Sequence, residues 1–379
     1  MTTSPDPLGL TSPQWEALAE SWNLQRYRGR QVFDALHRRQ ARDYGAMREL
    51  PTDLRQRLST ELPLRLPEIV RKELSADGSA KYGLRLADGA LIEAVFMPGE
   101  GGGAQVNEFE DARAFRSQPT ERPTITGKSP RSEKFTICLS SQTGCAVDCA
   151  FCVTGRLGGG RNLSAGEILG QLYALLSDVG RTAEGLRVVF MGMGEPFLNP
   201  EGVLPALDIL FEMISPRHVT VSTSGITPAF PVFAERPRRP NLAVSINAPN
   251  DEKRARLMPV TRTYPLSGLV AAMRRWPLEP RRRITVEYVL IAGVNDARED
   301  AAELARLLSG IHVKVNIIPL NEDPVFLPGW QRPEEVAIDR FVQRLVEARI
   351  PVTVRRSRGN DSGAACGRLK GRLQDPRGR

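Results

Sequence analysis

From residue 134 onward the chain alternates short apolar runs with amphipathic stretches, and few folds tolerate that alternation. The runs FTICLS, LRVVFM (186–191), VTVSTS, NLAVSI, ITVEYVLI and HVKVNIIP are rich in β-branched residues, and PVTVRR completes the series. Between them lie segments of helical period. Ser164, with Glu167 three positions on, forms a capping box ahead of an apolar stripe of Ile168, Leu169, Leu172, Leu175 and Leu176. Further helices are expected over Pro200 to Ile214, Ser267 to Trp276, Arg298 to Leu308 and 334–348. Apolar strands joined by helical crossovers imply parallel βα units. About six strands before the C-terminal tail are too few for a closed eight-stranded barrel. The fold class read from this pattern is α/β, a partial (β/α)6 barrel; an open doubly wound sheet has the same periodicity. Both put ligands at the carboxyl ends of the strands.

The rest of the chain divides by composition. Residues 1–65 read as a helical accessory domain, with Trp15, Leu18 and Trp22 on one face and Val32, Phe33, Leu36 and His37 on another. Thr52 is the expected N-cap of its last helix. Residues 66–98 alternate around an Asp88-Gly89 turn, as a β-hairpin or small meander. Residues 99–133 form a polar insertion, 134–357 the partial barrel, and 358–379 a tail. No apolar run is long enough to span a bilayer, and the start lacks the pattern of a secretory signal, so the expected location is cytoplasmic. The formal charge of +8 favours a polyanionic partner. Arginines at 236–239, 281–283 and 355–358, then Arg368, Lys370 and Arg372, would attract phosphate, although a solvated surface has the same composition.

Of five cysteines, four fall at 138, 145, 149 and 152. In Cys145-Ala-Val-Asp-Cys149-Ala-Phe-Cys152, three thiolates can wrap one face of a [4Fe–4S] cube and leave its fourth iron open to the amino and carboxylate groups of S-adenosylmethionine. Zinc is the alternative, with Cys138 as fourth ligand; a ferredoxin would need another regularly placed cysteine. Phe151 covers the cluster or adenine, or simply packs. Gly192-Met193-Gly194-Glu195-Pro196 follows an apolar strand, where glycines let backbone approach the amino acid part of the cofactor. Ser224, Ser245, Asn247 and Asn321 lie at later strand ends, as cofactor contacts or as turn residues. Cys366 sits among small residues in SRGNDSGAACGRL, either as a nucleophile or as an inert thiol.

Taken in order, CLSSQTGCAVDCAFC, RNLSAGEI, VVFMGMGEPFLN, VTVSTSGI, LAVSINAPND, ITVEYVLIAGVND, IIPLN and RGNDSGAACG resemble the radical-SAM adenine-C2 methyltransferases of large-subunit ribosomal RNA and transfer RNA. The resemblance spans about 11 to 372 apart from most of 99–133, and the related adenine-C8 methyltransferases share most of it. It implies a radical-SAM barrel, a cluster on Cys145, Cys149 and Cys152, and two molecules of S-adenosyl-L-methionine per turnover. One methylates Cys366; the other yields a 5′-deoxyadenosyl radical that removes hydrogen from that methyl, and the resulting carbon radical adds to adenine. Cys138 then resolves the protein–RNA adduct, leaving a transient disulfide with Cys366, and Glu93 lies near the reacting groups. An electron donor such as flavodoxin or ferredoxin, a monomeric state and RNA contact by the N-terminal module are further expectations.

The chain departs from that family where its Ser-Leu-His-Ala becomes Ser245-Ile246-Asn247-Ala248, because Asn cannot titrate as His does. The insertion between Met97 and Phe135 is a second departure. A noncatalytic iron–sulfur or zinc RNA-binding protein would explain charge and cysteines, but would leave GMGEP and Cys366 without a task.

Overall fold

The computed structural model describes residues 5–99, 133–355 and Leu369. Apart from its two ends, the expected insertion lies outside the described residues, as does the tail segment containing Cys366.

The N-terminal module holds α1 (Ser12–Ser21), α2 (Arg26–Phe33), a π turn (Asp34–Arg38) and α3 (Thr52–Glu61). Thr52 is not the N-cap of α3 but its first residue. Pro51 takes the cap position with extended ψ of 149° and offers no side-chain acceptor. The apolar faces of the module join one continuous core with the barrel. His37 is fully buried there, and its Nδ1 lies 2.5 Å from the Tyr173 hydroxyl.

The expected hairpin is a three-stranded meander of β1 (Glu68–Leu74), β2 (Ala80–Arg85) and β3 (Leu91–Met97), turning at Gly89 with φ of 84°. It is continuous with the barrel, because β3 pairs antiparallel with β4 (Phe135–Cys138). Parallel pairing then runs through β5 (Leu186–Phe190), β6 (Val219–Thr223), β7 (Asn241–Ser245), β8 (Ile284–Leu290) and β9 (Val313–Pro319). A short seventh parallel strand, β10 (Val352–Val354), forms within the expected PVTVRR run and pairs with β9. Among the described residues the strands form one ten-stranded sheet in sequence order, and its two edges do not pair with each other. The barrel is therefore open.

The crossovers carry α4 (Val153–Arg156), α5 (Ala165–Asp178), α6 (Pro200–Met213), α7 (Phe230–Ala234), α8 (Asp251–Leu257), α9 (Leu266–Arg275), α10 (Arg298–Leu307) and α11 (Glu335–Glu347). The capping box of α5 forms as its sequence dictates: Ser164 Oγ accepts from the Glu167 N–H at 3.1 Å, and Glu167 accepts from the Ser164 N–H at 2.9 Å. No described helix is long and apolar enough to cross a membrane.

Burial lowers the His37 pKa to about 3, with the Arg42 charge adding to the effect. The unfolded chain therefore takes up a proton that the folded chain refuses. Stability from this site is present above about pH 6.5 and falls as pH drops toward 3. Denaturant unfolding of His37→Gln should show a pH slope shallower than wild type by about 1 kcal/mol per unit between pH 6 and 5. Equal slopes would mean that His37 charges in the folded protein.

Candidate active site

The cysteine loop and the glycine motif are held together by sheet pairing that outruns the strands. Past the end of β4, Leu139 O accepts from the Gly192 N–H at 3.1 Å, and the Ser141 N–H donates to Met193 O at 2.8 Å. Gly194 has φ of 98°, and a Cβ there would sit 2.7 Å from the Gln142 nitrogen, so glycine is required twice over. Gln142 Oε1 accepts from the Glu195 N–H at 2.8 Å. These contacts set Glu195 and the cysteines on the wall of one cavity of about 170 Å³ at the carboxyl ends of the strands.

All three loop cysteines border that cavity, with Phe151, Gly194, Glu195, Ser224, Ser245, Asn247 and Asn321. The sequence thus identified the wall, but several side chains there are already engaged. Glu195 Oε2 accepts from both the N–H and the hydroxyl of Ser224 at 2.7 Å, and Oε1 accepts from the Phe197 N–H at 3.0 Å. Asn247 has φ of 58°, a left-handed conformation that Asn tolerates well. Its Oδ1 accepts from the Val289 N–H at 2.7 Å and its amide nitrogen faces Met258 Sδ at 3.1 Å. The Asn that replaces the family's His therefore ties β7 to β8. Phe151 packs on a small apolar cluster containing Ala248, Leu257, Met258, Ile291 and Leu320, seating the cysteine loop.

Two further residues hold this rim, and no sequence pattern pointed to one of them, Arg254. Arg254 is fully buried and donates to Ser224 O at 2.6 Å, Ser245 O at 3.1 Å, Ile246 O at 3.0 Å and Thr261 Oγ1 at 2.9 Å. Asn295 accepts from the Ile291 N–H and donates to Asn247 O and Val289 O, each at 2.7 Å. Arg254 lies in PNDEKRARLMP, which reads as a charged surface helix. Only the GVND motif gave any signal for Asn295.

The register places Cys138 and Glu93 on the cavity side of the sheet. Directly opposed residues share a face. Cys138 opposes Val189, Val189 opposes Thr220, and Thr220 opposes Asn241. Two and four positions on from Asn241 come Ala243 and Ser245, and Ser245 opposes Glu287. Cys138 also opposes Val95, two residues from Glu93. Backbone contacts lock Glu93 to the glycine motif: Ser140 Oγ donates to Glu93 O at 2.6 Å and accepts from the Met193 N–H at 2.8 Å. Cys366 lies outside the described residues. Leu369, three positions later, is buried, and its carbonyl accepts from Thr154 Oγ1 at 2.6 Å, two residues past Cys152. No disulfide joins described residues, and the expected Cys138–Cys366 pairing involves one outside them.

The basic clusters are partly spent on internal pairs. Arg236 pairs with Asp208, Arg238 with Glu212, and Arg282 with Glu279.

The donor set suits a soft, cationic metal centre. Burial pushes the Cys145 thiol up to about 12 and Cys149 well above its ordinary value, with neighbouring cysteine charges adding to both. Bonded iron reverses that balance, because a coordinated thiol is deprotonated outright. Among the described residues, no three His, Cys, Asp or Glu side chains converge on a point for a single metal ion. Thiolates spaced around a cavity fit an iron–sulfur cluster.

Residues 139–305 match the Radical SAM superfamily, and residues 6–63 match the ribosomal RNA large subunit methyltransferase N-terminal domain. The dual-specificity RNA methyltransferase RlmN of Anaeromyxobacter dehalogenans is 39% identical, covering 99% of this chain and 95% of its own length. That of Pelobacter propionicus is 38% identical over 100% of this chain and 99% of its own length. The chain belongs to this radical SAM methyltransferase family. A radical SAM methyltransferase structure from Sphaerobacter thermophilus has a TM-score of 0.81 and 40% identity, covering 97% of this chain and 99% of that one. Family membership brings a [4Fe–4S] cluster and S-adenosyl-L-methionine as cofactors.

Gly194→Ala forces a left-handed alanine against Gln142. It should destabilise the fold by about 1–3 kcal/mol and reduce cofactor cleavage at least tenfold. Thermal unfolding and 5′-deoxyadenosine yield after anaerobic reconstitution would check this. Wild-type values for both would refute the role given to the glycine.

Proposed function

We propose that this chain methylates C2 of adenine in large-subunit ribosomal RNA and in transfer RNA, using Cys366 as methyl carrier. The observation that supports it most is the placement of Glu93 and Cys138 on the cavity face of the sheet, beside the wall formed by Cys145, Cys149 and Cys152. Noncatalytic RNA binding would have no use for that arrangement.

Bound to the three loop cysteines, the cluster supplies the electron that cleaves the sulfonium cofactor. The remaining roles belong to the chain. Glu195, Ser224, Ser245, Asn247 and Asn321 line the space for the cofactor, Gly194 lets backbone approach it, and Phe151 shields it from water. Cys366 offers a thiolate that accepts a methyl group. Leu369, three positions after Cys366 in sequence, accepts a hydrogen bond from Thr154 beside the cysteine loop, which supports that role. Cys138 faces the same lumen, where its thiol would attack the Cys366 sulfur to free methylated RNA, leaving a disulfide that cellular thiols reduce. Electron-poor adenine C2 accepts a carbon radical where it would not attack a methyl sulfonium. The target base must first be unstacked, at a cost of a few kcal/mol.

The N-terminal module and exposed arginines would bind the RNA backbone. A monomer in the cytoplasm, fed by a flavodoxin- or ferredoxin-like donor, completes the reading.

RNA from cells lacking this gene should lose C2-methyladenosine, and complementation should restore it; a methyl group found at C8 would overturn the assignment. Cys366→Ala should abolish RNA methylation, whereas Cys138→Ala should accumulate a covalent protein–RNA species visible on denaturing gels. Full turnover by either variant would refute its role.

A further inference from the structure

The meander buries a charge array that the reading above leaves unused. Lys81 on β2 is 7% exposed. Its Nζ lies 2.8 Å from Glu73 Oε2 and 3.6 Å from Glu93 Oε1. The register explains the cluster: Glu73 opposes Lys81, Lys81 opposes Val95, and Glu93 sits two residues along β3 from Val95. All therefore share the face that carries Cys138. The Lys81 and Glu93 side chains are equally buried, while Glu73 is 20% exposed and also pairs with surface Arg71.

An ammonium removed from water needs counter-charge. Here two carboxylates share one cation on that face, and the less exposed of them, Glu93, stands two residues from the Val95 that pairs with Cys138. We propose that Lys81 is a positioning residue that keeps Glu93 ionised and aimed at the reacting groups, with Glu73 holding the ammonium in place from the outer side. A carboxylate serves as a base only when ionised, and an adjacent cation favours that form. Glu73 competes for the same ammonium and so weakens its hold on Glu93. Among the described residues, the charged groups on the face of Glu93 are Lys81 from β2 and Glu73 and Arg71 from β1, while β4 presents the titratable Cys138. Around the Glu93 backbone, Ser140 and Met193 are uncharged.

This inference rests on Glu93 acting in catalysis, and the two can fail separately. Methylation of an RNA fragment by the reconstituted enzyme should be followed from about pH 4.5 to 8, so that the limb of an ionised carboxylate falls inside the range. Glu93→Gln should lose methylation; if it does not, the catalytic reading of Glu93 falls. With that established, Lys81→Met should move the acid limb to higher pH by about one unit, a roughly tenfold loss on the acid side of the limb with little change above it. Cofactor cleavage should stay near wild type, the thermal midpoint should fall because buried Glu93 loses that cation, and Lys81→Arg should restore most of both the rate and the stability. Glu73→Gln should move the limb the opposite way, because it leaves the ammonium to Glu93 alone. A wild-type limb in Lys81→Met or in Glu73→Gln would overturn the proposal. So would a loss of rate in Lys81→Met that is equal at every pH.

Discussion

Val95, Phe96 and Met97 pair with Cys138, Ile137 and Thr136, and the proposed placement of Glu93 beside Cys138 depends on that short antiparallel seam. Without it the meander is an appendage, and Glu93 has no route to the barrel. The two strands are separated in sequence by residues 98–134, so no short local turn sets their register. Side chains across the seam tie them instead: the rings of Phe96 and Phe135 pack with centroids 5.6 Å apart.

Local signals made the parallel part of the fold readable. Apolar runs of β-branched residues marked β4 to β9, and the Ser164 capping box fixed the start of α5, because both depend on neighbours within a few residues. Long-range register is a different matter. Nothing in LIEAVFMP indicates that β3 continues the barrel, since that depends on a strand beyond the insertion; only resemblance to a family pointed to Glu93. Arg254 was equally hidden. In a charged helical stretch an arginine reads as solvated, and its burial is decided by three backbone carbonyl groups supplied from the ends of β6 and β7.

The site residues show the same division. The cavity wall was legible because glycine and cysteine spacing reports backbone geometry directly. The role of Asn247 was not. At the family's His position its amide is drawn into tying β7 to β8, with a left-handed backbone that suits Asn. The substitution replaces a titratable ring with a structural amide, which moves any pH dependence of this wall to other groups.

Those groups make the cavity a poor place for negative charge on its own. Burial pushes up Cys145, Cys149, Glu195 and Glu287; hydrogen bonds from Ser224 oppose the effect at Glu195, as does the Arg355 charge at Glu287. Arg254 stays charged, its pKa lowered by burial only to about 10, yet its donors are taken by backbone carbonyls and Thr261. A guest that brings positive charge therefore relieves the wall, and iron and a sulfonium are such guests. At the meander end of the same face, Lys81 supplies a fixed cation instead. One lumen thus presents acidic groups that await a cationic cofactor and, a few strands away, a carboxylate already partnered. That asymmetry keeps the fixed cation of the meander apart from the wall that a cationic cofactor would neutralise.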